Sequence, residues 1–237
     1  MNRMILQTLA ALKEYGCRIA AVHLENDQAR VSAQLRDACN LVLIKRNPAG
    51  LNLVDNAHNV SQLLFGGLRE IVAEAFAAGT RAVVYMEADK HTFVSDLDAL
   101  TAPILEARAD VSLAVRSAAG FARYPWIQRV VERNVNRHLA GRVGVQADYL
   151  YGPRAFSPRV GPLFDEYTEN DWGLMMYPAL AAITRSYPSE FVEVSGYPQP
   201  NYMLKYDAVM RSPPAHLIWR SIQNLAILKA ARAASRS

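Results

Sequence analysis

The sequence predicts an α/β protein in which a mostly parallel sheet is flanked by helices. Short apolar runs alternate with longer segments of helical periodicity through the first half of the chain. That alternation is typical of parallel sheets covered by helices on both faces. The 237 residues suffice for one domain, and no repeat or Pro/Ser-rich linker divides them. We therefore expect a single domain.

The predicted elements follow one another in a regular order. A helix begins near Ile5 and ends at Gly16, and residues 52–62 are polar and ambiguous. The strands expected in the first half cover residues 18–24, 41–44, 82–86 and 111–115. The helices expected between them cover residues 31–38, 63–78 and 100–109.

The second half carries longer helices and a turn. We expect helices over residues 124–139, 174–184 and 216–232, and a strand over 191–194. Residues 151–156 read as a turn because they combine glycine, proline and aromatic side chains. The amphipathic terminal helix could lie on an anionic membrane or pack on the domain.

The net charge limits the kinds of partner that this protein could bind but does not select one of them. A net charge of +4 agrees with an anionic substrate, a nucleotide or a membrane surface. The basic residues are dispersed, so we expect no nucleic-acid partner. We expect neither a spanning helix nor a signal peptide, and hence a cytoplasmic protein, with peripheral contact to the inner face of the membrane left open.

An acidic cluster follows the strand predicted over residues 82–86. Glu87, Asp89 and His91 occupy alternating positions, and alternating side chains of an extended chain point the same way. Two carboxylates and an imidazole suit a divalent cation such as Mg²⁺ or Mn²⁺. Lys90 should then point the other way. The alternative is a strand-end loop with ordinary solvated charges.

Four stretches together resemble the family 2-like glycosyltransferases of the GT-A fold, especially the polyprenyl-phosphate mannose synthase-like and glucosyl-phosphoglycerate synthase-like branches. They are residues 5–27, residues 79–100 (GTRAVVYMEADKHTFVSDLDAL), residues 109–158, and Asp171-Trp172-Gly173 followed by residues 191–194. The resemblance implies a GT-A-like, Rossmann-like fold. It divides the domain into a nucleotide-sugar-binding-like half (1–116), an acceptor-side half (117–212) and a C-terminal helix and tail (213–237).

The resemblance also implies roles for particular residues. Glu87, Asp89 and His91 would hold the Mg²⁺ or Mn²⁺ cofactor, although the family usually has Asp and Gln at the first and third of these positions. Glu25 and Asp27 would contact the nucleotide, with a helix N-cap as the alternative for Asp27.

Further residues match the family's sugar and acceptor side. Asp148 would be catalytic, and Arg116, Gly152 and Arg154 would bind substrate. For Arg154 the alternative is a bridge to surface carboxylates. Arg129 and Arg133 could bind a donor diphosphate or an acceptor phosphate, with a solvated helix face as the alternative. For Arg137 we expect the solvated face.

Asp171 would be the catalytic base if the reaction inverts the anomeric centre. Glu169 competes for that role, and the alternative for Asp171 is a helix N-cap. Whether the reaction retains or inverts configuration stays open.

The implied activity is metal-dependent transfer of a hexose from a nucleotide diphosphate sugar to a small or lipid-linked acceptor. Family members open with a strand and a base-binding loop that residues 1–16 do not resemble. That departure keeps two alternatives open, a non-catalytic transferase-like binding protein and a sugar hydrolase on the same scaffold. It would also leave a sheet edge free for pairing into a homo-oligomer.

Overall fold

A computed structural model describes residues 3–25, 33–46, 57–87, 90–194 and 213–236. The strands are β1 (Ala20–Glu25), β2 (Leu41–Arg46), β3 (Val83–Tyr85), β4 (Val111–Arg116), β5 (Arg154–Phe156) and β6 (Ser189–Val194). The α-helices are α1 (Arg3–Glu14), α2 (Ala33–Ala38), α3 (Ala57–Ala77), α4 (Leu97–Leu105), α5 (Ala118–Ala122), α6 (Trp126–Val143), α7 (Gly161–Glu166), α8 (Tyr177–Thr184) and α9 (Pro213–Ala234). Short 3-10 helices cover His91–Asp96, Pro158–Val160 and Trp172–Met175. The predicted α/β class is confirmed.

The described strands form two small sheets. Strands β1 and β2 pair in parallel. The larger sheet has the order β3-β5-β4-β6, in which β5 runs antiparallel to both of its neighbours and β4 and β6 run parallel. The expected single, mostly parallel sheet is therefore not what the described strands form.

The difference arises at residues 151–156, which the sequence marks as a turn. Gly152 has φ +115, and the chain after Pro153 extends into β5, whose three residues are all buried. Three residues are too few to carry a strand pattern of their own. Their extended conformation comes from hydrogen bonding to β3 on one side and β4 on the other.

One apolar core runs through all three predicted segments of the chain. Phe65 of α3, Leu139 of α6, Leu180 of α8 and Ile227 of α9 belong to the same buried cluster. Full burial of one such side chain contributes about 1.5–3 kcal/mol. The terminal helix thus packs on the domain, against α8, α6 and the 3-10 helix Trp172–Met175. Within the described ranges, no helix has both the length and the apolar composition required to cross a bilayer.

Two helices connect the two sheets. Leu12 of α1 packs against the buried cluster beneath β1 and β2 and also against the cluster beneath the larger sheet. Helix α3 packs on β1, β2 and β3. Gly67 makes the approach of α3 to β1 possible, because a Cβ at this position would lie 2.9 Å from the side chain of Val22. The two sheets are therefore held side by side.

Candidate functional site

The candidate site lies where β3 ends beside the turn that enters β5. Tyr85 pairs with Arg154 across the antiparallel ladder. Glu87 follows Tyr85 by two residues, just past the end of β3, and Gly152 precedes Arg154 by two residues. The register therefore brings Glu87 against Gly152, and a Cβ on Gly152 would lie 2.9 Å from Glu87 Oε1 and closer still to Oε2. An added Cβ would therefore displace the Glu87 carboxylate from its position, and φ +115 disfavours any residue other than glycine.

We expect Gly152→Ala to lower the free energy of unfolding by about 3 kcal/mol, because it adds both backbone strain and a collision with Glu87. Gly79→Ala is the matched control, since Gly79 has φ +79 but no atom within 4 Å of an added Cβ. Its loss should be about 1 kcal/mol. Urea denaturation measures both.

The combination with Glu87→Ala isolates the collision. Glu87→Ala should recover part of the loss in the Gly152→Ala background, because the collision is removed and only the strain remains. Equal losses for the two glycine variants, without recovery, would contradict the close contact.

Several polar atoms around this point have no hydrogen-bond partner among the described residues. Glu87 Oε2, His91 Nδ1 and Arg154 Nε are all buried and unpartnered. A buried polar group without a partner costs roughly 1–3 kcal/mol. Such groups commonly mark a position where a ligand, ion or water completes the hydrogen bonding.

The chain does not present Glu87 and His91 by strand alternation. Strand β3 ends at Tyr85, the Lys90 amide donates to the Glu87 carbonyl at 3.0 Å, and a 3-10 helix begins at His91. The expected opposite orientation of Lys90 follows from the same assumption and stays a prediction. Its ammonium lies 5.1 Å from the ring centroid of Tyr151.

The metal ligands are only partly described. Asp89 lies outside the described residues, and no group of three His, Cys, Asp or Glu side chains within them could hold a metal ion. Glu87 and His91 alone supply one oxygen-donor and one nitrogen-donor side chain with unpartnered atoms. Such a donor pair fits Mg²⁺ or Mn²⁺, with the imidazole favouring Mn²⁺. A third ligand would have to come from elsewhere.

Arg154 stabilises the turn from beneath. Its side chain is 2% exposed, and its guanidinium donates to the carbonyl oxygens of Gly152 and Tyr149, each at 2.8 Å. Burial lowers the pKa of Arg154, and the negative charge of Glu87 opposes that shift. No ion pair to this cation is formed within the described residues. The predicted bridge to surface carboxylates is therefore not observed.

Arg116 and Asp148 form a buried network on the other side of Tyr151. Arg116 Nε and Nη2 donate to the Asp148 carboxylate at 2.6 and 2.9 Å, and Nη2 also donates to Glu132 at 2.6 Å. Asn136 donates to Asp148 at 2.9 Å. Burial alone would raise the pKa of Asp148, but the hydrogen bonds and charge of Arg116 outweigh it and hold that pKa below its usual value.

Arg116 and Asp148 thus already have hydrogen-bond partners within the protein. The Arg116 guanidinium is also enclosed by aromatic rings, with centroids 4.6 Å away for Phe121 and 4.7 Å away for Tyr124. A side chain held in this way can position neighbouring groups. The substrate-binding role of Arg116 and the catalytic role of Asp148 stay predictions.

Asp171 occupies the N-cap position that the sequence left as its alternative role. Its carboxylate accepts from the Gly173 amide at 2.7 Å and from the Tyr167 hydroxyl at 2.9 Å. The 3-10 helix that it caps ends beside the site, where the Tyr85 hydroxyl contacts the sulfur of Met175 at 3.1 Å. The catalytic role of Asp171 also stays a prediction.

The nucleotide-binding predictions fall at the edge of the described chain. Glu25 is the last residue of β1, and its side chain is not described. Asp27 lies outside the described residues.

Tyr151 is the residue that the sequence analysis left without a role. It is 3% exposed, packs edge-on against Phe93 with centroids 6.3 Å apart, and lies between Lys90 and the Arg116 network. Burial, with smaller contributions from neighbouring acidic groups, raises its pKa. Its position directly before Gly152-Pro153 was the available signal. Tyr151 joins the Glu87 side of the site to the Arg116 side.

Asp96 is another residue of this region to which the sequence assigned no role. It ends the 3-10 helix that begins at His91, and burial raises its pKa. Its charge also contributes to the raised pKa of Tyr151. The surroundings of Tyr151 therefore include two acidic side chains, Asp96 and Glu87.

Comparison with protein-family models, with curated proteins and with solved structures finds no match to this chain.

Proposed function

We propose that this protein is a GT-A-like glycosyltransferase that moves a hexose from a nucleotide diphosphate sugar to a small or lipid-linked acceptor with the help of Mg²⁺ or Mn²⁺. The observation that carries the proposal is the buried, unpartnered carboxylate oxygen of Glu87 against Gly152, together with a second unpartnered atom, Nδ1 of His91 in the segment that follows β3. A carboxylate and an imidazole that lack protein partners suit a cation.

The arrangement of strands supports the finer fold assignment. The parallel pairs β1/β2 and β4/β6, with helices packed on them, fit a Rossmann-like sheet. Among the described strands, β1 pairs only with β2 and β3 only with β5. Helices α1 and α3 contact both sheets, as helices that cover a common sheet would do.

Each residue then has a role in the transfer. A bound divalent cation would offset the charge of the departing diphosphate. Glu87, His91 and Asp89 would hold that cation. Arg154 would fix the Gly152 turn beneath it, and the Arg116–Asp148 pair would position the sugar-side surface through Tyr151. Asp171 would accept the acceptor's proton if the reaction inverts configuration.

The second candidate is a transferase-like binding protein without turnover. It is favoured by the internal engagement of Arg116, Asp148 and Asp171, each of which already has protein partners. A binding protein would keep the fold and the affinity for a sugar nucleotide but lack a free base.

Turnover assays separate these functions. The transferase should consume nucleotide diphosphate sugars in the presence of Mn²⁺ and lose this activity in EDTA. Metal-independent cleavage of simple glycosides would instead indicate a hydrolase. Binding of a sugar nucleotide without turnover, across a panel of donors and acceptors, would indicate the binding protein.

A further inference from the structure

Every charged side chain that α6 exposes is basic. Its acidic residue, Glu132, is buried and paired with Arg116. Arg133, Arg137 and Arg142 are exposed, and no ion pair to them is formed in the part of the chain that the structure describes. The exposed charge of this 18-residue helix is therefore positive and lies between Arg133 and Arg142.

The first two turns of α6 expose large apolar side chains. Trp126 is 68% exposed, Val130 46% and Val131 41%. Trp126 and Val130 are four residues apart and share one face, whereas Val131 lies about 100° round the helix from Val130. Single exposed apolar residues are ordinary on protein surfaces, but a tryptophan and a valine on one face beside arginines form an amphipathic patch. We call Trp126, Val130, Arg133 and Arg137 the α6 surface.

Helical geometry aligns the two kinds of side chain. Trp126, Val130, Arg133 and Arg137 follow i, i+4, i+7 and i+11 spacing, so they lie in one stripe along the helix axis. A flat surface that touches Trp126 and Val130 would also be reached by the two arginines. The helix is about 27 Å long, long enough to lie along a surface.

We propose that the α6 surface docks this protein on an anionic lipid bilayer. Tryptophan is favoured at the boundary between lipid headgroups and acyl chains, and valine gains by leaving water there. Arginines beside them would contact lipid phosphates. The proposal is independent of the proposed transfer reaction.

A nucleic-acid partner fits the same face less well. Arginine and tryptophan can contact phosphates and stack on bases, but Val130 cannot stack. It would stay exposed to water at a nucleic-acid interface. A bilayer accommodates Trp126, Val130 and the two arginines together.

Vesicle co-sedimentation tests the proposal with the full chain. Wild-type protein should sediment with phosphatidylcholine vesicles that contain phosphatidylglycerol, should bind far less to pure phosphatidylcholine, and should be released by salt. Arg133→Gln with Arg137→Gln should lower the partition coefficient about 30-fold, at about 1 kcal/mol for each arginine. Trp126→Ala should lower it about tenfold.

Matched substitutions elsewhere keep the test specific. Arg81→Gln removes an exposed basic residue outside α6, and Leu105→Ala removes a 44% exposed apolar residue at the end of α4. Both should bind vesicles within about twofold of wild type, because neither belongs to the α6 surface.

Three results would overturn the proposal. The first is wild-type binding to anionic vesicles no stronger than to neutral ones. The second is an equal loss of binding in the Arg81 and Leu105 controls. The third is tight binding of single-stranded DNA that depends on Arg133 and Arg137, in the absence of vesicle binding. Circular dichroism spectra of all variants exclude unfolding as the cause of any loss.

Discussion

Arg116→Met should lower the free energy of unfolding by about 3–5 kcal/mol, because it leaves two buried carboxylates without their cation. The Arg116 side chain is 2% exposed and bonds to Asp148 and Glu132, which are 16% and 9% exposed. The cost of removing one partner from a buried ion pair comes largely from the charges left behind. Urea denaturation at neutral pH measures the loss.

The same substitution at a surface pair is the control. Arg185 bonds to Glu166 at 2.5 and 2.8 Å, but both side chains are much more exposed, at 25% and 39%. Arg185→Met should therefore cost no more than about 1 kcal/mol. A similar loss in the two variants would contradict a special role for the buried network.

The difference between wild type and Arg116→Met should also depend on pH. The pKa of Asp148 lies below its usual value in the folded protein, so its contribution to stability is present above the unfolded-state pKa of about 3.9. That contribution is lost as pH falls through the folded-state pKa. Without Arg116, burial would raise the pKa of Asp148. The stability gap should therefore be widest near pH 7. It should begin to narrow above about pH 4, where Asp148 of the variant takes up its proton, and should narrow further below about pH 4 as wild type loses its own contribution.

Part of the buried network of Arg116, Asp148 and Glu132 could be predicted from the sequence. Glu132 is the one acidic residue of the arginine-rich helix, and it falls on the same helical face as Leu139 and Val135. A charge on an apolar face requires a buried partner. What the sequence could not give was the identity of that partner, because Arg116 and Asp148 are 32 residues apart and meet only after β4 and α6 pack together.

The position of the acidic site could be predicted from the sequence, but the strand pairing that brings its two parts together could not. The apolar run before Glu87 correctly marks a strand, and the glycine at 152 correctly marks unusual backbone. Their contact depends on the antiparallel pairing of β3 with β5, a three-residue strand that no periodicity indicates. Local pattern thus located both halves of the site, while long-range pairing brought them together.

The second large effect concerns metal binding at Glu87 and Asp89. Loss of one carboxylate removes a ligand and part of the charge that attracts a cation, so Glu87→Gln and Asp89→Ala should each weaken Mn²⁺ affinity by about 100-fold. Metal-dependent consumption of the sugar nucleotide should fall by about 10²–10³-fold, because charge on the diphosphate is then poorly offset.

Glu74→Gln gives the matched control for Glu87→Gln. Glu74 is exposed on α3 and belongs to neither the β3 end nor the β5 turn. It should leave both Mn²⁺ affinity and turnover within about twofold of wild type. His91→Gln replaces the imidazole with an amide and should reduce Mn²⁺ affinity less than loss of either carboxylate.

Calorimetric titration of Mn²⁺, with and without a nucleotide diphosphate, into wild type, Asp89→Ala and Glu74→Gln tests the central claim most directly. The account predicts saturable Mn²⁺ binding that the nucleotide strengthens, that Glu74→Gln retains and that Asp89→Ala loses. Identical metal and nucleotide binding by wild type and Asp89→Ala would contradict it.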